Sequence, residues 1–70
     1  MTNTILELKK DDFKMWLSQY IDLHRYEITF TVTISTGNNY YETNFKQFKS
    51  ACNYFNRTCI NAGLEDYVIW

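Results

Sequence analysis

The 70-residue chain contains no proline, only two glycines and a single histidine. Each scarcity excludes something. With Gly37 and Gly63 far apart and no proline, the chain has no linker, no low-complexity segment and no glycine loop able to cradle a phosphate. His24, Cys52 and Cys59 do not supply the three or four suitably spaced ligands of a metal site. Nor do they form a nucleophile with a base beside it and a third group to orient that base. The carboxylate pairs Asp11-Asp12 and Glu65-Asp66 fall at element boundaries, where capping and solvation account for them. The expectation is therefore a protein that is not an enzyme and has no cofactor or metal.

Strong positive charge is also missing. The formal net charge is −1 and the pI is near 5.6, unlike the basic footprint of a typical nucleic-acid binder. No apolar run approaches the ~20 residues of a membrane span, and the opening Met1-Thr2-Asn3-Thr4 lacks the layout of a secretory signal. A cytoplasmic chain without membrane contact is expected, with the Asn56-Arg57-Thr58 sequon unused. Cys52 and Cys59 share one predicted helix at a spacing of about 10 Å along its axis. That is beyond disulfide reach, so they read as buried reduced thiols.

What the chain does have is apolar and aromatic bulk. Hydrophobic residues make up 46% and aromatics 19%, enough payload for a single compact domain over 1–70 despite the short length. The clearest pattern is Tyr26–Ser35, where Ile28, Phe30, Val32 and Ile34 alternate with Thr29, Thr31, Thr33 and Ser35. Alternate strand side chains point to opposite faces, so one face is apolar and the other carries hydroxyls. Thr36-Gly37-Asn38-Asn39 then reads as a turn, and Tyr40–Thr43 as the second arm of a hairpin.

Helical periodicity is expected in two places. Phe13, Trp16, Leu17, Tyr20 and Ile21 fall at i, i+3, i+4, i+7 and i+8, after Asp11 or Asp12 as N-cap and before His24 and Arg25 as the last turn. A second helix is predicted from about Phe45 to Ala62, with Asn44 and Gln47 as a capping-box variant. Phe48, Ala51, Cys52, Phe55 and Cys59 form its apolar stripe. Gly63 ends it, and Leu64 folds back on Cys59. Thr4–Leu8 is a candidate first strand and Tyr67–Trp70 a final one. The predicted class is α+β: a small antiparallel sheet of three or four strands with two helices packed on one face, in the order (β)αββαβ. With the first strand present, this is the ferredoxin-like split βαβ arrangement. Such a fold carries little functional information by itself.

Two surface signals remain. Residues 44–64 hold Lys46, Lys49 and Arg57 and no acid, a charge of +3. The rest sets Lys9, Lys10, Lys14 and Arg25 against eight acids, a charge of −4. Lys46, Lys49, Asn53 and Arg57 would share one helix face. An ordinary solvated face explains them, as would a docking surface for an acidic protein patch or a nucleic-acid backbone. Aromatics are the second signal, since six Tyr, five Phe and two Trp exceed what a small core hides. Tyr40 and Tyr41 point to opposite faces of one strand, as do Tyr67 and Trp70. Tyr and Trp favour the centres of protein interfaces. The threonine face invites comparison with RNA-binding sheets, but it lacks their basic, glycine-aromatic pattern and reads more simply as exposed sheet.

The expected function is a non-catalytic binding protein that docks on another protein or protein complex as an inhibitor, adaptor or modulator. A phage or mobile-element protein that blocks a host enzyme or defence complex has this size and style. The candidate contact residues are Tyr40, Tyr41, Lys46, Lys49, Arg57 and Trp70. A nucleic-acid-binding or regulatory module using the basic helix face is the alternative, and a homodimer or larger homo-oligomer paired through sheet edges the third.

Overall fold

The structure, a computed structural model, describes residues 2–63. Four antiparallel strands follow one another as β1 (Thr2–Lys10), β2 (Phe13–Asp22), β3 (Glu27–Thr36) and β4 (Asn39–Phe45), and one helix, α1 (Phe48–Asn61), completes the order. The sheet is a meander whose spatial order equals its chain order. The α+β class holds. The (β)αββαβ order, the second helix and the split βαβ topology do not, because the segment expected as a first helix is strand β2.

The reason lies in a pattern that satisfies two periods. Phe13, Trp16, Leu17, Tyr20 and Ile21 fit a helical stripe, but Phe13, Met15, Leu17 and Ile21 fit a strand equally well. Pairing decides between them. Leu8 lies opposite Met15 and Leu6 opposite Leu17 on β1, while Ile34 faces Met15 and Val32 faces Leu17 on β3. As a strand, β2 has its backbone groups bonded on both sides and its Met15 and Leu17 fully buried. β1 is accordingly longer than Thr4–Leu8, spanning nine residues. His24 lies in the loop between β2 and β3 rather than closing a helix. There the Asp22 carboxylate accepts backbone N–H bonds from His24 (3.0 Å) and Arg25 (3.3 Å).

The alternation in β3 places Phe30, Val32 and Ile34 on the helix side, but Ile28, expected with them, is 46% exposed at the start of the strand and outside the packed cluster. Α1 lays Ala51, Phe55 and Cys59, each four residues from the next, onto Leu8, Met15, Leu17 and Val32. Each of those large side chains contributes about 1.5–3 kcal/mol by leaving water. The helix begins later than expected. Phe45 belongs to β4, and Gln47 is the N-cap without a side-chain bond. Asn44 is not a cap either, because its side-chain oxygen accepts a bond from the Thr31 hydroxyl at 2.7 Å. Gly63 ends the helix as read, with φ +74° and its N–H donating to the Ile60 carbonyl at 3.1 Å. The Leu64 contact and the Tyr67–Trp70 strand lie outside the described residues. Among the described residues, no helix is long and apolar enough to cross a membrane.

Since the core hangs on one helix, its central ring should matter most. Phe55→Ala is expected to cost about 3–5 kcal/mol in chemical denaturation. Phe48→Ala, at a side chain 45% exposed, should cost about 1 kcal/mol or less.

Candidate functional site

With α1 on one face, the other face of the sheet is left without a covering element among the described residues. Its side chains follow from the register as cross-strand rows. One row runs Glu7, Trp16, Thr33, Glu42, and the next runs Thr4, Ser18, Thr31, Asn44. Tyr20 and Thr29 pair in the row beyond. The hydroxyl-bearing residues of β3 thus form a central track with aromatic rings on both flanks.

This face is a groove, which corrects the reading of a plain exposed threonine surface. The Trp16 and Tyr40 rings come from strands on either side of β3, with centroids 6.4 Å apart and planes tilted by 57°. They close over the strand between them, and Thr33 is left only 2% exposed. Ser18 is buried as well, and its hydroxyl donates to the Thr31 carbonyl at 3.5 Å. The concavity measures about 460 Å³ and extends from Trp16 and Tyr40 past Thr31 to Tyr20, within the size range of ligand and anchor pockets.

Electrostatics differ between the two flanks. On the β1 side, Lys14 Nζ lies 3.7 Å from Glu7 Oε1 and 5.2 Å from the Trp16 ring centroid. One cation there neutralises a carboxylate and holds an aromatic face. On the β4 side, Glu42 lines the groove and has no ion-pair partner among the described residues. The track itself carries no cation, so it does not suit a phosphate backbone.

The residues expected to form the site are dispersed. Tyr40 (60% exposed) and Tyr41 (55%) do lie on opposite faces of β4, and only Tyr40 reaches the groove. Lys46 precedes the helix, in the β4–α1 connection, and borders a separate recess of about 230 Å³ with Glu27, Ile28 and Thr29. Lys49 and Arg57 are exposed on α1, so the expected basic stripe is reduced to two helical cations. Trp70 lies outside the described residues. Trp16, Ser18, Tyr20 and Glu42 were not expected in a site. The signal for the first three was present as the alternation of Lys14, Trp16, Ser18 and Tyr20 with Phe13, Met15 and Leu17.

Among the described residues, no group of three or more His, Cys, Asp or Glu side chains could hold a metal. Cys52 is partly buried and Cys59 buried, both as free thiols. Burial raises both pKa values above the ordinary 9.0. No known family, characterised protein or solved structure matches the chain.

The thiols allow a test with a definite sign. A raised folded pKa means that the unfolded chain loses its thiol protons first as pH rises. Stability from this source is fully present below pH 9.0, the unreshifted thiol value, and is lost as pH climbs through the folded pKa. Denaturation midpoints should show no cysteine-dependent change below pH 9.0 and a cysteine-dependent decline above it that Cys59→Ala reduces and Cys52→Ala with Cys59→Ala removes. Labelling at neutral pH should reach Cys52 before Cys59.

Proposed function

We propose that this chain is a non-catalytic binding protein that docks on another protein, as an inhibitor, adaptor or modulator, with the groove of its open sheet face at the centre of the contact. The observation that carries the reading is the Trp16–Tyr40 pair roofing Thr33 on a face with no covering element among the described residues. A ring pair held by a rigid sheet loses little conformational freedom on binding, and the surrounding Ser, Thr and Asn groups offer adaptable hydrogen bonds. Aromatic anchors with small polar neighbours are the composition of protein-recognition surfaces.

The groove's charge supports a protein over a nucleic acid, because its free charged group is the Glu42 carboxylate. The alternative of a nucleic-acid module has less support now that Lys46 stands apart from Lys49 and Arg57. Two cations on one helix face would give weak, salt-sensitive contact.

Tyr20 is the discriminating position, being 46% exposed and on the groove floor away from the β4 edge. Tyr20→Ala should leave the unfolding free energy within about 0.5 kcal/mol of the parent and reduce capture of the partner from native host cells at least tenfold. Lys49→Glu with Arg57→Glu should leave capture unchanged. Retention by Tyr20→Ala, or loss in the double charge reversal with a steep salt dependence, overturns the reading.

A further inference from the structure

The two edges of the sheet are built differently. β1 carries a register irregularity between Thr4 and Leu6, and it ends in Lys9-Lys10. Bulges and edge lysines are the usual devices that keep an edge from accepting another strand. β4 has neither. Its seven residues pair with β3 in unbroken register from Thr36–Asn39 to Phe30–Phe45, and the strand contains no lysine.

Hydrogen-bond geometry then says which groups on that edge are not bonded to β3. Thr36 and Asn39 close a two-residue loop, with Gly37 at φ +53° and Asn38 outside the positive-φ residues, the signature of a type II′ turn. The pair flanking such a loop exchanges both backbone bonds, and bonded and non-bonded pairs alternate from there. Asn39, Tyr41, Thr43 and Phe45 therefore bond inward to β3. The N–H and C=O groups of Tyr40, Glu42 and Asn44 face outward, and β3 is the neighbour of β4 among the described residues. Tyr40 and Tyr41 stand on the two faces of this edge, both more than half exposed.

The flanking charges select the occupant. Glu7 and Glu42 end the same cross-strand row, but Glu7 has Lys14 on the adjacent strand and Glu42 has no ion-pair partner among the described residues. We propose that the outer edge of β4, unpaired among the described residues, takes an extended segment of the partner protein as a fifth strand, with a lysine or arginine of that segment beside Glu42. This rests on the docking reading above and names how the partner is held. Backbone bonds to Tyr40, Glu42 and Asn44 supply the attachment, and the tyrosines and the carboxylate supply the selection. A second copy of the chain fits less well. Full antiparallel overlap of two β4 strands is centred on Glu42 and opposes two carboxylates directly, and pairing with another copy's β1 meets its irregularity.

Isotope-labelled 70-residue chain titrated with the acetylated, amidated peptide Thr-Val-Lys-Val-Thr tests this by backbone amide NMR. The amides of Tyr40, Glu42 and Asn44 should shift most and gain protection from hydrogen exchange. The same peptide with glutamate in place of lysine should bind about fivefold more weakly, and Glu42→Lys, at unchanged melting midpoint, should reverse the preference. Equal binding of the two peptides, no binding at millimolar concentration, or shifts centred on Ser18, Thr31 or α1 overturn the proposal. So does a concentration-dependent doubling of mass in light scattering that Glu42→Lys alters, since the occupant is then a second copy. Partner capture separates the two readings. If Tyr20→Ala abolishes capture and Glu42→Lys with Asn44→Pro does not, docking stands and strand addition fails. If Tyr20→Ala leaves capture intact, the docking reading itself fails, whatever the peptides show.

Discussion

One helix has to close the hydrophobic side of a four-stranded meander, and the rest of the structure depends on that contact. Leu17 and Val32 face each other across β2 and β3, and Phe55 joins them in one buried cluster with Ala51 and Cys59. A 14-residue helix is about 21 Å long, enough to cross the strands but not to cover both faces. The layer it forms satisfies the apolar side of β2 and β3 and, among the described residues, leaves the other side to be managed by side chains. Ala51 and Cys59 are small, which lets the helix lie close to the sheet while Phe55 fills the space between.

The open face is managed by rings leaning over a hydroxyl track. Trp16 and Tyr40 shelter Thr33, and Lys14 is held between Glu7 and the Trp16 ring. These groups give the face a defined shape. The same register that builds the core builds the groove, because a strand's period of two assigns alternate residues to the two layers. A slip of one residue would exchange the layers, so the pairing of Met15 and Leu17 with Ile34 and Val32 also positions Trp16, Ser18 and Tyr20.

Legibility in the sequence varied by element for physical reasons. β3 was readable because every apolar position alternates with Thr or Ser, residues whose branched or small side chains suit a strand. α1 was readable from its stripe and from Gly63, with an error of about one turn at its start. That error came from Asn44, whose side chain bonds across the sheet to Thr31 rather than capping the helix. β2 was misread. Its Gln19 interrupts the apolar alternation opposite Phe30, while Trp16 and Tyr20 supply bulk on the other face, so a helical stripe could be drawn through the same residues. On a helix, Trp16 and Tyr20 fall on the same stripe as Phe13 and Leu17, and no groove can be read from the pattern. Tyr40 and Tyr41 were located correctly on opposite faces, since adjacency in a strand requires it.

The sequence by itself determined the apolar and hydroxyl faces of β3, the Gly37 turn, the main body of the helix and its glycine stop. Each is a local consequence of side-chain spacing or of a backbone conformation that glycine adopts readily. Tertiary structure alone decided that residues 13–22 are a strand, because both periods fit locally and only the hydrogen-bonding partners on β1 and β3 distinguish them. It likewise decided that Trp16 and Tyr40, 24 residues apart in the chain, meet over Thr33. That contact follows from strand order and register, which are properties of pairing and not of any one segment.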